Sequence, residues 1–455
     1  MTALSPMSRF AADFPSHDVS VNEIFFSMTD SRGIIRQAND VFVRLSRHEP
    51  EDLIDAPHSI IRHPDMPAGI FRTMWQTLQA GQPFAGYIRN RAKGDSTYDT
   101  LATVTPLPDG GYLSVRIPPL TEHFATAREI YHAMNDLEQG AREEGVDRRG
   151  RAEQGAGRLV AELAARGFDS YEQLQWEILP AEVEELERRR EERSDDVEAT
   201  GAHAGLLATV HDLHETLDGF VAAQQRIAAT TSALASAGRR LDEETTATVR
   251  VSTEMDRLDI SGPERTLLLA PLQVWATMHG IVTDHIRDLT DLLTELRRVG
   301  ARTRFHIALA RLHTTMTASF ASDLPEEVSA GDPATAAIPP LVDALRAGVT
   351  GMADRVAEHE RLSNRVNLKV RSVISIMGIP QDVISSWLDD TSFDQFPHDV
   401  RQLVDEVRSA ADGTAESISE LETLTVRLTG EAGLEPEHLR THVEQVSRAA
   451  TAYLG

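Results

Sequence analysis

Phe84-Ala-Gly-Tyr-Ile-Arg-Asn-Arg91, Tyr98-Asp-Thr-Leu-Ala-Thr-Val104 and Tyr112-Leu-Ser-Val-Arg-Ile117 follow one another with only turn residues between them. Lys93-Gly-Asp-Ser96 and Pro108-Asp-Gly-Gly111 supply the glycines and aspartates that tight turns need, so the three runs read as successive antiparallel strands. Upstream, Ile24–Thr29 and Ile34–Ala38 flank Asp30-Ser-Arg-Gly33 and read as a hairpin. Between the two strand groups the pattern turns helical. Pro64 and Pro67 forbid a continuous helix through Arg62 and His63, because a residue before proline avoids the helical region. Asp65 then stands where it can cap a helix that tolerates Pro67 in its first turn. Ile70, Met74 and Leu78, beside Phe71 and Trp75, give that helix one apolar face, and Gly81 ends it. Two strands, helices, then three strands make an α+β domain over residues 20–120: a five-stranded antiparallel sheet with helices on one face, preceded by a tail over residues 1–19.

After Pro118-Pro119 the character changes. Residues 121–157 read as a connecting helix running into a flexible linker, since Gly140 to Gly157 is rich in Gly, Arg and Glu. Residues 158–455 read as an all-α helical bundle or coiled-coil region. Leu213, Leu217, Phe220, Ile227, Leu234 and Leu241 fall on alternating four- and three-residue steps that keep one seam of a helix against a partner helix. Gln224 and Thr231 interrupt that seam. Leu341 to Val373 and Val400 to Leu428 carry further frames of the same kind.

Composition excludes several classes. Seventy-one acidic residues against 45 basic ones leave a net charge of −26, which a nucleic-acid backbone repels. The short clusters Arg148–Arg151 and Arg188–Arg190 have acidic neighbours and read as solvated helix faces. No cysteine is present, so disulfides, thiolate metal sites and thiol redox sensing are excluded together. Met1–Asp13 lacks the basic and apolar regions of a secretory signal. Thr266–Thr283 carries no formal charge, but Pro271, Gln273, Thr277, His279 and Gly280 argue for a buried helix over a membrane span. The expectation is a cytoplasmic protein.

Asn39-Asp-Val-Phe42, Pro57-His58, Arg62-His-Pro-Asp-Met-Pro67, Met74-Trp75, Gly81, Gly86 and Asn90-Arg91 resemble the PAS domain of the aerotaxis-receptor family. The match spans roughly residues 20–118, and Ala127-Arg-Glu-Ile-Tyr131 resembles that family's post-PAS helix. The resemblance implies a non-covalently held FAD that reports redox state or oxygen supply to chemotaxis machinery. It also implies Asn39, His58, Arg62, His63, Asp65 and Trp75 as the flavin contacts. Each also has a plainer reading on the residues alone: Trp75 and Met74 as core, Asp65 as a helix cap, His58 and His63 as structural histidines.

This chain departs from the family at three places: Phe84 and Asp99 stand where a tryptophan is usual, and Thr103 where an asparagine is usual. Asn367-Leu368 and Val404-Asp-Glu-Val-Arg408 resemble fragments of a chemotaxis transducer tip. The segment between them, with Gly378, Pro380, Trp387 and Pro397, does not match, so the helical output is unassigned. No phosphate-binding glycine loop or His-Glu-x-x-His pair occurs. The leading expectation is a flavin-based redox or oxygen sensor, not an enzyme, with no catalytic or metal-ligating residues. It passes its state through the helical region to protein partners, as a homodimer. A cofactor-free PAS scaffold is the alternative, and a catalytic flavoprotein stands third.

Overall fold

The computed structural model describes residues 16–108, 110–191, 204–257, 262–322, 335–431 and 436–454. Most of the expected N-terminal tail, and Asp109 of the last strand turn, lie outside them. The strands are β1 (Phe25–Thr29), β2 (Ile35–Ala38), β3 (Phe84–Arg91), β4 (Thr97–Pro106) and β5 (Tyr112–Ile117). They form one antiparallel sheet in the order β2-β1-β5-β4-β3. The β1–β2 turn is fixed by Asp30, whose carboxylate accepts from the backbone N–H of Arg32 at 2.9 Å and of Ile34 at 3.0 Å. Gly33 there has φ +76°, a conformation that side chains rarely adopt.

Between β2 and β3 run α1 (Asp40–Ser46), α2 (Pro50–Leu53), a 3₁₀ turn (His58–Ile61) and α3 (Ala68–Gln79). The amphipathic face read for α3 is present, with Ile70 and Leu78 buried in the domain core. Its N-terminus is not capped by Asp65. The N–H groups of Ala68 and Gly69 instead donate to the two carboxylate oxygens of Glu138, at 2.7 and 2.8 Å. A carboxylate from a distant helix thus supplies what a local cap usually does.

Glu138 belongs to α4 (His123–Glu143), which is followed after a tight turn by α5 (Arg148–Ala164) and α6 (Tyr171–Glu191). The stretch expected to be a flexible joint is therefore mostly helix. One of its glycines, Gly155, serves close packing: a Cβ on Gly69 of α3 would lie 2.5 Å from the backbone of Gly155 and Ala156 in α5. The sheet core continues without a break into these helices, joining Leu113, Val115 and Ile117 of β5 with Ile130, Leu159 and Ile178.

The remaining helices are α7 (Ala204–Asp256), α8 (Pro263–Ser322), α9 (Ile338–Asp390), α10 (His398–Glu431) and α11 (Pro436–Leu454). The chain divides into two compact units. One comprises Met1–Gly219, Arg304–Ala353 and Pro436–Gly455; the other comprises Phe220–Thr303 and Asp354–Glu435. Among its described residues the second unit's elements are helices, with a core of its own that includes Leu234, Leu241, Leu289, Val370 and Val404. The seam read over Leu213 to Leu241 is buried. No helix among the described residues is long and apolar enough to cross a membrane.

Candidate functional site

A cavity of ≈ 260 Å³ lies between α3, the 3₁₀ turn and the inner face of the sheet. Its apolar wall comes from α3 (Phe71, Met74, Trp75 and Leu78), facing Phe84 and Ile88 of β3, Ala102 and Val104 of β4, and Tyr112 of β5. Trp75 meets Tyr112 edge-on, with centroids 5.5 Å apart. The pleat explains the selection on the strands: Ala102 and Val104 face inward, so Asp99 and Thr103, an odd number of residues away, face the other side. Asp99 is held there by Arg89 through two hydrogen bonds of 2.9 and 3.0 Å, and Thr103 donates to the carbonyl of Val115. Of the three departures from the family pattern, only Phe84 touches the cavity.

The polar lining has one sign. Arg32, Arg62, Arg116 and Arg148 all contribute, and no carboxylate does among the described residues. Arg32 pairs with Asp30 at 3.3 Å. Arg62, Arg116 and Arg148 make no ion pair among the described residues. Arg116 is the deepest, only 4% exposed, on the inward side of β5 with Ser114. It donates to Nε2 of His58 at 2.7 Å and to Oγ of Ser27 at 3.3 Å. Burial pushes it down to about 10, so it keeps its charge at neutral pH. An arginine only donates, so Nε2 of His58 accepts and the imidazole is neutral with its proton on Nδ1. Burial first, and the Arg116 charge second, hold His58 well below the usual histidine range.

Nε of Arg116 and Oγ of Ser114 are buried without a hydrogen-bond partner among the described residues. Buried polar groups are ordinarily satisfied, and a lone buried charge is costly. Here two unsatisfied groups belong to residues that line a cavity with no carboxylate among the described residues. Arg62 sits nearer the entrance, its guanidinium 3.7 Å over the ring of Phe71 and bonded to the carbonyl of Met66. Asn90 is buried with its amide nitrogen on Ile88, Tyr98 and Thr100.

Of the residues singled out from sequence, the cavity brings together His58, Arg62 and Trp75. It does not include Asn39, His63 or Asp65. Asn39 is the N-cap of α1: its Oδ1 accepts from Phe42 and Phe26, and its Nδ2 donates to Ile24, which pins the helix to β1. His63 is buried behind the 3₁₀ turn, where its Nδ1 accepts from the backbone N–H of Asp65, and burial lowers its pKa. Asp65 is half exposed, and its carbonyl accepts from Asn135 of α4.

Residues 35–114 match the PAS fold family. The N-terminal domain is a PAS domain. The aerotaxis receptor of Escherichia coli is 37% identical to this chain over 113 residues, which is 24% of this chain and 22% of that protein. A nitrogen fixation regulatory protein of Klebsiella pneumoniae is 30% identical over 84 residues, 18% of this chain and 17% of that protein. The matched region thus covers about a fifth of each of these curated relatives. Among solved structures, a LOV protein of Rhodobacter sphaeroides is 19% identical with a TM-score of 0.21, covering 32% of this chain and 90% of that one.

Within the PAS domain, sequence reading missed Arg116 and Ser114. The signal was present: a charged residue stands in Leu113-Ser-Val-Arg-Ile117, a run otherwise fit for burial. Arg148 stands in a cluster that reads as a solvated face, and its approach to the PAS cavity depends on how α5 packs.

Proposed function

We propose that this chain is a signal-transduction protein whose PAS cavity takes FAD and reports redox state or oxygen supply through its helical region. The observation that carries the reading is the cavity itself: aromatic walls, four arginines, no carboxylate among the described residues, and buried donors in Ser114 and Arg116 left without an acceptor. That donor set suits a flat ligand with acceptors on its polar edge and negative charge elsewhere. The cavity is small beside the roughly 300–1,000 Å³ of typical ligand sites. It therefore suits one ring system, with the phosphates of a dinucleotide left near the entrance, where Arg32 and Arg62 stand.

A bound flavin supplies reversible redox chemistry, and its ring gains a proton on reduction. The protein's part is to place a fixed cation and a rotatable hydroxyl at the ring's polar edge. His58, neutral and committed to Arg116, orients that guanidinium. Trp75, Phe71 and Tyr112 exclude water. Ser114 and Arg116 would be the groups whose donated hydrogen bonds distinguish two states of such a ligand, as a sensor needs. We read the chain as a cytoplasmic sensor and not as a catalyst.

For partners, we propose a second copy of the chain. Leu267, Val274 and Ile281 lie seven residues apart on α8 and are exposed, within the charge-free stretch Thr266–Thr283. In a chain of net charge −26, a neutral helical stripe is a face on which two copies can meet without mutual repulsion.

The absorption spectrum of the purified full chain tests the cofactor. Flavin bands at about 450 nm that bleach on reduction, with FAD released on denaturation, are expected. A colourless protein that takes up no FAD would favour the cofactor-free scaffold.

A further inference from the structure

Arg148 is the first residue of α5 and lies beyond the residues that match the PAS fold, yet it lines the same cavity as Arg62. It is exposed and makes no ion pair among the described residues. The helix that carries it is fastened to the cavity wall. The backbones of α3 and α5 meet at Gly69 and Gly155, too close for a Cβ on Gly69. Glu138 of α4 holds the N-terminus of α3 at 2.7 and 2.8 Å. The α4–α5 hairpin therefore presents a cation to the cavity from outside the PAS fold. It faces a second cation: Arg62 is lowered to about 10, by burial first and by the charge of Arg148 next. An anion shared by the two arginines offsets that repulsion and gains charge-assisted hydrogen bonds from both.

We propose that Arg148 is a ligand-binding residue, and that a group of the diphosphate class bridges it to Arg62, coupling occupancy of the cavity to docking of the α4–α5 hairpin. The inference rests on the FAD reading in taking the diphosphate of that dinucleotide as the bridged group. Linkage makes the effect reciprocal: whatever affinity the ligand gains from the docked hairpin, the hairpin gains in stability from the ligand. The PAS state then reaches the helices through α5 without any large movement of the sheet.

The experiment titrates deflavinated full chain, wild type and Arg148→Gln, with FAD and with riboflavin, which has the same ring and no phosphate. Amide hydrogen exchange over α4 and α5 is followed in parallel. Arg148→Gln should weaken FAD about tenfold to a hundredfold and leave riboflavin affinity unchanged. FAD, but not riboflavin, should slow exchange in α4 and α5 of the wild type, and that slowing should vanish in the variant. Equal loss of both ligands, no loss of either, or exchange in α4 and α5 that ignores FAD would overturn the proposal while the flavin reading stands. Failure of the wild type to bind either flavin would overturn both. Riboflavin binding also verifies that the variant's cavity is folded.

Discussion

His313, which does not line the cavity, makes stability depend on pH. It is buried in α8 with neither ring nitrogen hydrogen-bonded among the described residues, and burial holds it at about 4. The folded chain therefore stays unprotonated there while the unfolded chain takes up a proton below about pH 6.5. Stability from this residue is present above pH 6.5 and is lost as pH falls toward about 4. Between pH 7 and pH 5 the wild type should lose about 2 kcal/mol more than His313→Leu, measured by urea unfolding. Equal losses would show that His313 is hydrated or partnered in solution. His58, held low by burial and by Arg116, acts in the same direction. Of the residues the motif singles out, His58, Arg62 and Trp75 line the cavity, whereas the side chain of Asn39 is spent on backbone at β1 and α1. Arg116 stands outside the motif, because a strand run does not announce which face closes on a cavity.

The sheet and α3 were legible because their signals are local: glycine and aspartate in the turns, period-two runs, and a helical apolar face between Pro67 and Gly81. The α4–α5 hairpin was not, because glycines are ambiguous. In Gly140–Gly157 they suggested flexibility, whereas Gly155 lets α5 approach α3, and Gly145, at φ +83°, lets the chain turn after α4. The helix cap was misread for a related reason. Asp65 is adjacent in sequence, but Glu138 arrives through the fold. Gly69→Ala should therefore cost about 1–3 kcal/mol in thermal unfolding, since its Cβ meets backbone, which cannot rotate away. A neutral effect there would mean that the α3–α5 contact is looser than a 2.5 Å approach.

Across the whole molecule, the heptad seams announced helices and left open what they pack against. Leu217 and Phe220 are 0% and 5% exposed within a single chain. Leu217→Glu with Phe220→Glu should therefore unfold the helical region, at several kcal/mol, and not merely split a dimer. Light scattering with parallel circular dichroism separates the outcomes. Loss of helical signal is expected for that pair. Val274→Glu with Ile281→Glu, on the exposed stripe, should keep the helical signal and convert a dimer to monomers. A wild type that is monomeric at all working concentrations would remove the proposed second copy.

The buried cation of the cavity, Arg116, makes no ion pair among the described residues. Removing that cation with Arg116→Gln keeps a donor for Nε2 of His58 and relieves an uncompensated charge, so the ligand-free protein should unfold at the same or higher denaturant concentration than the wild type. Its affinity for FAD should nevertheless fall roughly tenfold to a hundredfold. Fluorescence titration of FAD into deflavinated full chain measures this directly. One FAD per wild-type chain, with weakened binding by a stably folded Arg116→Gln, is the predicted result; no saturable binding by the wild type, or equal affinity in the two proteins, would contradict it.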